Sequence, residues 1–275
     1  MVAVIVPRGT EHAAPALLLK PPSQNLITTR QFQSARHLVQ ALRRRLTTDP
    51  YHVVVRAGNA ADLIGLSKEL IGLLTANPCA EQKSHPNRSP VPFTKIEVKL
   101  DALTKSDHVT RYSRTAQALP PHTDSSYDQK PHQILVFAMQ RPAANGGANH
   151  VIPVDAVVAR LDAATRATLR LPIYPFARHR LPILEDRGVR GIAIRYYRQQ
   201  LLQNPVALKA LPPGAKQALF ELEEALDHLK TAQSFKLDAG DLLFINNRRA
   251  LHGRSSFAPT SGRLLFRFRV RAEQF

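Results

Sequence analysis

The sequence has no tryptophan, two methionines and a single cysteine among its 275 residues. One cysteine excludes an internal disulfide framework and fits a reducing compartment. Cys79 follows Asn-Pro and has no helix start or neighbouring base that could activate a thiol. We therefore expect this cysteine to be structural or inert.

Long apolar runs are also missing. The N-terminal run before Pro7 has five residues, which is too short for the core of a signal peptide. No run approaches the roughly 20 apolar residues that a membrane-spanning helix needs. We expect a cytoplasmic protein without a membrane partner.

Acidic residues are scarce: the sequence has 21 of them and 38 lysines and arginines, which gives a formal charge of +17. Such a charge attracts nucleic acid, acidic membrane surfaces or small anions. The densest clusters, at 43–45 and 267–271, are short, and no nucleic-acid-binding motif accompanies them. The spread of basic residues favours a solvated basic surface, so a nucleic-acid partner is not expected.

The composition and the pattern of apolar residues indicate one globular domain over residues 1–275, with an irregular segment at 1–27. Apolar residues make up 44% of the chain, enough for a buried core. Helical spacing predicts a helix after an N-cap at Thr29, and further helices at 60–74, 155–171 and 213–231. Apolar runs predict strands at 51–58, 132–140, 234–237, 242–247 and 263–270, and 145–153 predicts a turn that leads into a strand. The chain becomes strand-like after 93–100, and the Pro- and Ser-bearing stretch 77–92 predicts a mobile loop. This order favours a mainly β (α+β) fold, a sandwich or open barrel decorated by helices.

The stretch "PPHTDSS" contains His122 and Asp124, the only histidine in the chain with an acidic residue two positions later. On an extended segment these side chains project to the same face, so imidazole and carboxylate converge. That pair suits a divalent metal but leaves it short of ligands. By itself the pattern is weak, because one such pair is expected by chance among 11 histidines and 21 acids.

A second histidine, His252, lies in "GDLLFINNRRALHGRSSF", after a Gly-Asp turn and a buried strand. We expect it in a loop, either as a half-buried histidine beside a turn or as part of a crowded site. Gly253 next to it permits a close backbone approach.

The last predicted strand, "RLLFRFRV", alternates a core face that carries Phe266 and Phe268 with a face that carries Arg263, Arg267 and Arg269. The arginine face meets either water or an anion. Inside a barrel an unpaired guanidinium would cost several kcal/mol, so a bound carboxylate is its natural partner. Arginine also suits the bidentate binding of carboxylates.

The order and spacing of these pieces resemble the Fe(II)/2-oxoglutarate-dependent dioxygenases of the taurine dioxygenase and clavaminate synthase group. "GDLLFINNRRALHGRSSF" is similar to the amino-acid hydroxylase branch, and "ILVFAMQRPAANGGANHVIP" is similar to the strand and Gly-Gly segment of the family. The resemblance runs from about 51 to 271. It implies a double-stranded β-helix (jelly-roll) core, with the metal and co-substrate site in residues 120–271.

The resemblance implies His122, Asp124 and His252 as the iron ligands. Arg263 matches the arginine that anchors 2-oxoglutarate, and Arg267 matches a second arginine near both co-substrate and substrate. Asn149 stands where the family commonly has a co-substrate-binding threonine, and its amide can still donate a hydrogen bond. The carboxylate of Asp124 also speaks against a halogenase, because halogenating relatives lack it.

For function, the resemblance implies hydroxylation of a C–H bond with O2, coupled to decarboxylation of 2-oxoglutarate to succinate and CO2. The substrate expected is a small amino acid or an amino-acid-derived intermediate that carries a carboxylate. Its candidate contacts are Arg267, Gln117, Ser125, Asp128, Arg195 and Tyr196.

Other interpretations stay open at this point. The same cofactors support desaturation, cyclisation or epoxidation. Two alternatives belong to other classes of protein. One is a basic anion- or nucleic-acid-binding protein on a barrel scaffold, and the other is a metal-binding cupin that does not use 2-oxoglutarate. The oligomeric state is open as well.

Overall fold

The computed structural model describes residues 21–22, 25–31, 34–58, 62–75, 92–98, 112–232, 234–272 and 274–275. Cys79, the predicted loop at 77–92 except its last residue, and most of the N-terminal segment 1–27 lie outside these residues. The end of that segment is described, and Leu26 and Ile27 belong to a strand there. None of the helices within the described ranges is long and apolar enough to cross a membrane.

The elements follow one another as strands with helical insertions. The strands are β1 (Leu26–Thr28), β2 (His52–Arg56), β3 (Phe93–Glu97), β4 (Leu119–His122), β5 (Ile134–Arg141), β6 (Asn149–Pro153), β7 (Tyr174–Phe176), β8 (His179–Leu181), β9 (Leu184–Asp186), β10 (Ile192–Ile194), β11 (Ser234–Phe235), β12 (Asp241–Asn246), β13 (Ala250–Arg254) and β14 (Leu264–Val270). The helices are α1 (Ala35–Thr47), α2 (Leu63–Thr75), α3 (Val154–Val158), α4 (Ala163–Leu169), α5 (Arg198–Leu202), α6 (Pro205–Lys209) and α7 (Pro213–Ala232).

Two sheets carry most of the chain. The larger has the strand order β1-β2-β12-β5-β14-β3, and the smaller has the order β11-β6-β13-β4. Neighbouring strands are antiparallel except for β1 and β2, which are parallel. β7 pairs with β8 and β9 with β10 in separate two-stranded ribbons. The expected mainly β architecture with helices is thus confirmed as a mixed α+β fold with several antiparallel sheets.

Apolar side chains of the two sheets meet in one cluster. Val54, Leu135 and Leu243 of the larger sheet join Val151 and Ala250 of the smaller one. On its other face the larger sheet packs against α1 and α2. The other face of the smaller sheet packs against the cluster that includes α3, α4 and α7. Both faces of the central strands are buried, which explains why β5 and β12 read as continuous apolar runs.

Three local predictions differ from the structure. Helix α1 begins at Ala35, because the hydroxyl of Ser34 accepts a hydrogen bond from the His37 backbone N–H at 3.4 Å and caps the helix, whereas Thr29 starts a 3₁₀ turn. The helix predicted over 155–171 is divided into α3 and α4, since Asp162 caps a new helix through the backbone N–H of Thr165. His252 lies in β13 and not in a loop.

The packing of β12 predicts a large stability loss when Phe244, which is fully buried, is changed to alanine. We expect Phe244→Ala to lower the free energy of unfolding by about 3–5 kcal/mol, because the cavity left behind adds to the lost transfer energy. Urea unfolding followed by circular dichroism measures this. Phe220→Ala is the matched control, since Phe220 on α7 is 55% exposed, and its effect should stay within about 0.5 kcal/mol. Equal losses in both variants would contradict the assigned packing.

Candidate metal centre

Two histidines are brought together by strand pairing. β13 pairs with β4 in a register that places His252 opposite His122, and their ring centroids are 4.3 Å apart. β13 also pairs with β6, so its main chain is hydrogen-bonded on both sides. Side chains at directly opposite positions of an antiparallel pair share a face. The sheet therefore sets the two imidazoles side by side across 130 residues of sequence.

Asp124 completes the cluster from the turn after β4. Its Oδ1 lies 3.4 Å from Nε2 of His122 and 3.7 Å from Nε2 of His252. One potential ligand atom from each of the three residues lies within 4.8 Å of the others, and all three side chains are buried. In the part of the chain that the structure describes, no other histidine, cysteine or acidic residues form such a group.

The protonation states of this cluster fit a divalent metal. The Nδ1–H of His122 donates to the carbonyl oxygen of Pro120 at 2.9 Å, so Nε2 is the ring nitrogen that faces the cluster. Burial and the neighbouring His122 hold the pKa of His252 well below its usual range, so this imidazole is neutral. Burial alone would raise the pKa of Asp124. The charges of Arg267 and Arg269 outweigh it and hold that pKa well below its usual range. Two imidazoles and a carboxylate are the donor set of facial iron sites.

The main chain of Asp124 is fixed by Asn247, in the turn between β12 and β13. Its amide oxygen accepts from the Asp124 N–H at 2.8 Å, and its amide nitrogen donates to the carbonyl oxygens of Asp124 and His132 at 2.9 and 2.8 Å. Ser125 then adopts a positive φ of 58°, which turns the chain away. Sequence reasoning missed Asn247. Its position at the end of the predicted strand 242–247 gave no reason to single it out.

The second oxygen of the Asp124 carboxylate is held by two arginines from β14. Nε of Arg269 lies 2.7 Å and Nη1 of Arg267 lies 3.0 Å from Oδ2. Oδ1 is thereby left to the histidines. The sequence placed Arg269 on the arginine face of β14 but gave no reason to single it out, because its partner is 145 residues away.

Arg263 and Asn149 lie in the same pocket as His122, His252 and Arg267. Arg263 is 4% exposed, its guanidinium lies over the Phe257 ring at 5.4 Å, and it forms no ion pair with any described residue. Burial lowers the pKa of Arg263 to about 10. Nδ2 of Asn149 and Nε of Arg263 are buried donors without a hydrogen-bond partner. Such groups are costly unless an acceptor binds there, so this end of the pocket suits an anion.

Arg254 is a further buried arginine in this pocket that sequence reasoning did not single out. It donates to the carbonyl oxygens of Thr115 and Ser255 and stacks on the Phe257 ring at 4.5 Å. Burial and the charge of Arg263 lower its pKa to about 9. Carbonyl oxygens accept hydrogen bonds from this guanidinium, whereas that of Arg263 has no such partner among the described residues.

The predicted substrate contacts are not all gathered at the pocket. Gln117 is exposed, and the hydroxyl of Tyr196 donates to Glu223 at 2.7 Å within the cluster beside α7. The next residue, Tyr197, is the one whose ring lies beside His122, at 4.7 Å.

Ser125 and Asp128 belong to the turn that follows Asp124, and Arg195, directly after β10, contacts this turn. Arg195 donates to the carbonyl oxygens of Ser126, Asp128 and Gln129 and so holds this turn together. The Ser125 hydroxyl lies 2.7 Å from Nδ1 of His132, and the carboxylate of Asp128 lies 3.8 Å from Arg271. As substrate contacts these three residues, Gln117 and Tyr196 stay predictions.

The family model "Taurine catabolism dioxygenase TauD, TfdA family" matches residues 84–269. That span is more than half of the chain. The chain belongs to this family. The enzyme class expected from sequence, an Fe(II)/2-oxoglutarate-dependent dioxygenase, and its cofactors are thereby confirmed. A comparison with curated proteins gives no significant match.

Solved structures of this fold include two amino-acid oxygenases. The non-heme iron oxygenase OrfP in complex with Fe and alpha-ketoglutaric acid matches with a TM-score of 0.59 and 19% identity over 86% of this chain and 80% of that chain. Asparagine oxygenase in complex with Fe(II), 2S,3S-3-hydroxyasparagine and succinate matches with a TM-score of 0.59 and 16% identity over 90% and 94%. OrfP in complex with Fe, succinate and (3S)-hydroxy-L-Arg gives a TM-score of 0.58 at 18% identity over 86% and 81%. At these identities the likeness establishes the fold.

The contact between Arg269 and Asp124 predicts a role in metal affinity. Arg269→Gln should weaken Co(II) binding to the apoprotein by about 10- to 100-fold, because the carboxylate loses the partner that orients it. Anaerobic titration followed by the visible absorption of bound Co(II) measures this without turnover.

Arg271→Gln is the matched control. It removes the same charge two residues further along, where the guanidinium donates to the Lys130 carbonyl oxygen and does not contact Asp124. Losing a positive charge near a cation site should strengthen metal binding slightly. Equal affinities in the two variants would therefore contradict an orienting role for Arg269.

Proposed function

We propose that this enzyme hydroxylates a C–H bond of a free amino acid or a small amino-acid-derived molecule, with Fe(II), 2-oxoglutarate and O2. The observation that carries the proposal is a buried His122–Asp124–His252 cluster whose two histidines line one pocket with Arg263, which forms no ion pair with any described residue. The complexes of OrfP and asparagine oxygenase with hydroxylated arginine and hydroxylated asparagine support an amino-acid substrate.

In this proposal Nε2 of His122, Nε2 of His252 and Oδ1 of Asp124 hold the iron. Bound there, iron with 2-oxoglutarate and O2 supplies the oxidising power for C–H hydroxylation, while the co-substrate is converted to succinate and CO2. The protein keeps the imidazole of His252 neutral by burial and Asp124 ionised by its two arginines, so these two donor groups need no proton change to bind the metal.

Arg263 binds the far carboxylate of 2-oxoglutarate. Its guanidinium offers paired N–H donors to a carboxylate, and no described acidic side chain competes for them. The free amide N–H group of Asn149 adds a hydrogen bond. Ile96, Leu243 and Leu265 line the same pocket and exclude water, which strengthens the ion pair.

Arg267 orients the substrate. It lies between Asp124, which it contacts at 3.0 Å, and the pocket that it lines. A substrate carboxylate would therefore be held close to the metal. Such positioning is a large part of what a protein contributes to this kind of reaction.

For the fold we propose the double-stranded β-helix (jelly-roll). The support is the pair of mainly antiparallel sheets that share one apolar cluster, with the candidate site on the inner face of β13 and β14. Sites in the mouth of such double-sheet barrels are common.

An anaerobic titration of the apoprotein with Fe(II) and then 2-oxoglutarate tests the proposal. We expect the weak visible charge-transfer band of the iron chelate in the wild type. Arg263→Ala should need about 30-fold more 2-oxoglutarate, since losing one partner of a buried charge pair costs at least about 2 kcal/mol. Arg160→Ala, which removes an exposed arginine, should titrate like the wild type.

Two results would overturn the proposal. One is a wild type that binds iron and gives no band. The other is a folded His252→Ala variant that binds iron and forms succinate as the wild type does. Once the band is established, a screen of amino acids for substrate-dependent succinate release identifies the substrate, and mass spectrometry of the product shows whether 16 mass units are added.

A further inference from the structure

A second pocket lies outside the metal centre and shares no lining residue with it. Its volume is about 470 Å³, within the range of small-ligand sites. The segments 129–133 and 185–190 and the residue Arg248, which are distant in sequence, meet here with Arg271 at the end of β14. We define the basic pocket by its charged lining residues, which are Lys130, Glu185, Arg187, Arg190, Arg248 and Arg271.

The charges of the basic pocket do not balance. Five of its six charged residues are cations, and its one carboxylate, Glu185, is engaged by Arg248 at 2.6 Å. Asp128, just outside the lining, lies 3.8 Å from Arg271. Even with this contribution, the lining residues and Asp128 together carry an excess of positive charge. A concave surface lined by charges of one sign concentrates their field and attracts the opposite ion.

Arg248 forms the buried back of the basic pocket and is 5% exposed. Burial lowers the pKa of Arg248 to about 10; Glu185 opposes this, while the charges of Arg195 and Arg187 add to it. The buried guanidinium of Arg248 thus has one carboxylate partner, Glu185, and is opposed by the charges of Arg195 and Arg187. Burying like charges together is unfavourable unless counter-charge is supplied.

The guanidinium groups of Arg187 and Arg271, which line the basic pocket, can donate hydrogen bonds to a ligand. Arg187 reaches the main-chain oxygen of Phe275 with Nη1 at 3.3 Å, and Arg271 reaches that of Lys130 with Nη1 at 2.6 Å. These contacts use one of the five N–H groups of each guanidinium. The remaining N–H groups suit the tetrahedral oxygens of a phosphoryl group, which arginine binds in bidentate fashion.

We propose that the basic pocket binds a small phosphoryl oxyanion carrying two or more negative charges. A compact anion of that charge matches an excess of several cations, which a monocarboxylate would leave mostly uncompensated. This inference goes beyond the proposed hydroxylation. It involves neither the metal cluster nor Arg263 and Arg267.

Isothermal titration of the full-length apoprotein with pyrophosphate tests the proposal, at constant ionic strength in sodium chloride. We expect one site per chain. The triple variant Arg187→Gln/Arg190→Gln/Arg271→Gln should bind at least tenfold more weakly, and Arg190→Gln alone, at an exposed position, at least threefold more weakly. The matched control is Arg36→Gln/Arg160→Gln/Arg178→Gln, which removes three exposed arginines elsewhere and should bind like the wild type.

Further arms locate the site and identify the ligand. Arg263→Gln should leave pyrophosphate binding unchanged, which separates this site from the co-substrate pocket and keeps the two proposals independent. ADP that binds no more tightly than pyrophosphate would assign recognition to the phosphoryl groups alone. ADP that binds at least tenfold more tightly would identify a nucleotide as the source of the phosphoryl group.

Three results would overturn the proposal. One is no heat of binding at millimolar pyrophosphate. Another is equal weakening in the control variant, which would indicate non-specific attraction to the charge of the whole chain. The last is a single-stranded oligonucleotide that displaces pyrophosphate and binds with a steep salt dependence, which would assign the pocket to nucleic acid.

Discussion

The pairing of β13 with β4 is the constraint on which the candidate site depends. It places His252 opposite His122, and the pairing of β13 with β6 holds the same strand from its other side. A shift of one residue would turn His252 toward the helices and present Leu251 or Gly253 in its place. The ladder between three short strands therefore fixes the position of two side chains that one metal ion would share.

Burial of Asp124 follows from this arrangement and requires compensation. The carboxylate lies against two imidazoles and is 5% exposed, so its negative charge has little water to stabilise it. Arg267 and Arg269 supply that stabilisation from β14, and Asn247 holds the main chain from the turn after β12. One ionised side chain thus depends on two elements besides its own, β14 and the turn after β12. Buried charges are tolerated when they are paired in this way.

The composition shows that the chain has excess positive charge, but only the structure shows where the charged side chains lie. Part of it lies inside the protein, where Arg254 and Arg263 are buried in the pocket of the metal cluster and Arg267 and Arg269 contact Asp124. Another part gathers in the basic pocket. The solvated basic surface that the sequence favoured accounts for exposed positions such as Arg36 and Arg160, but not for these two groups.

Much of the fold and the core of the site could be predicted from the sequence. The apolar runs located the central strands, and helical spacing located α2 and α7 closely. The order of His-x-Asp, a distal histidine and two later arginines led to the correct family, because each motif is local and its spacing can be read directly. Predictions failed where a local pattern had two readings, as for the position of His252, the start of α1 and the break before α4.

The sequence by itself determined the chemistry available to this protein: which side chains can hold a metal, and which can hold an anion. Only the tertiary structure decided which of them act together. Asn247 meets Asp124 across 123 residues and Arg269 meets it across 145, and no periodicity or motif encodes such contacts. The physical reason is that strand register and sheet packing, which arise from the whole chain, set these distances, whereas sequence patterns report only the local conformation.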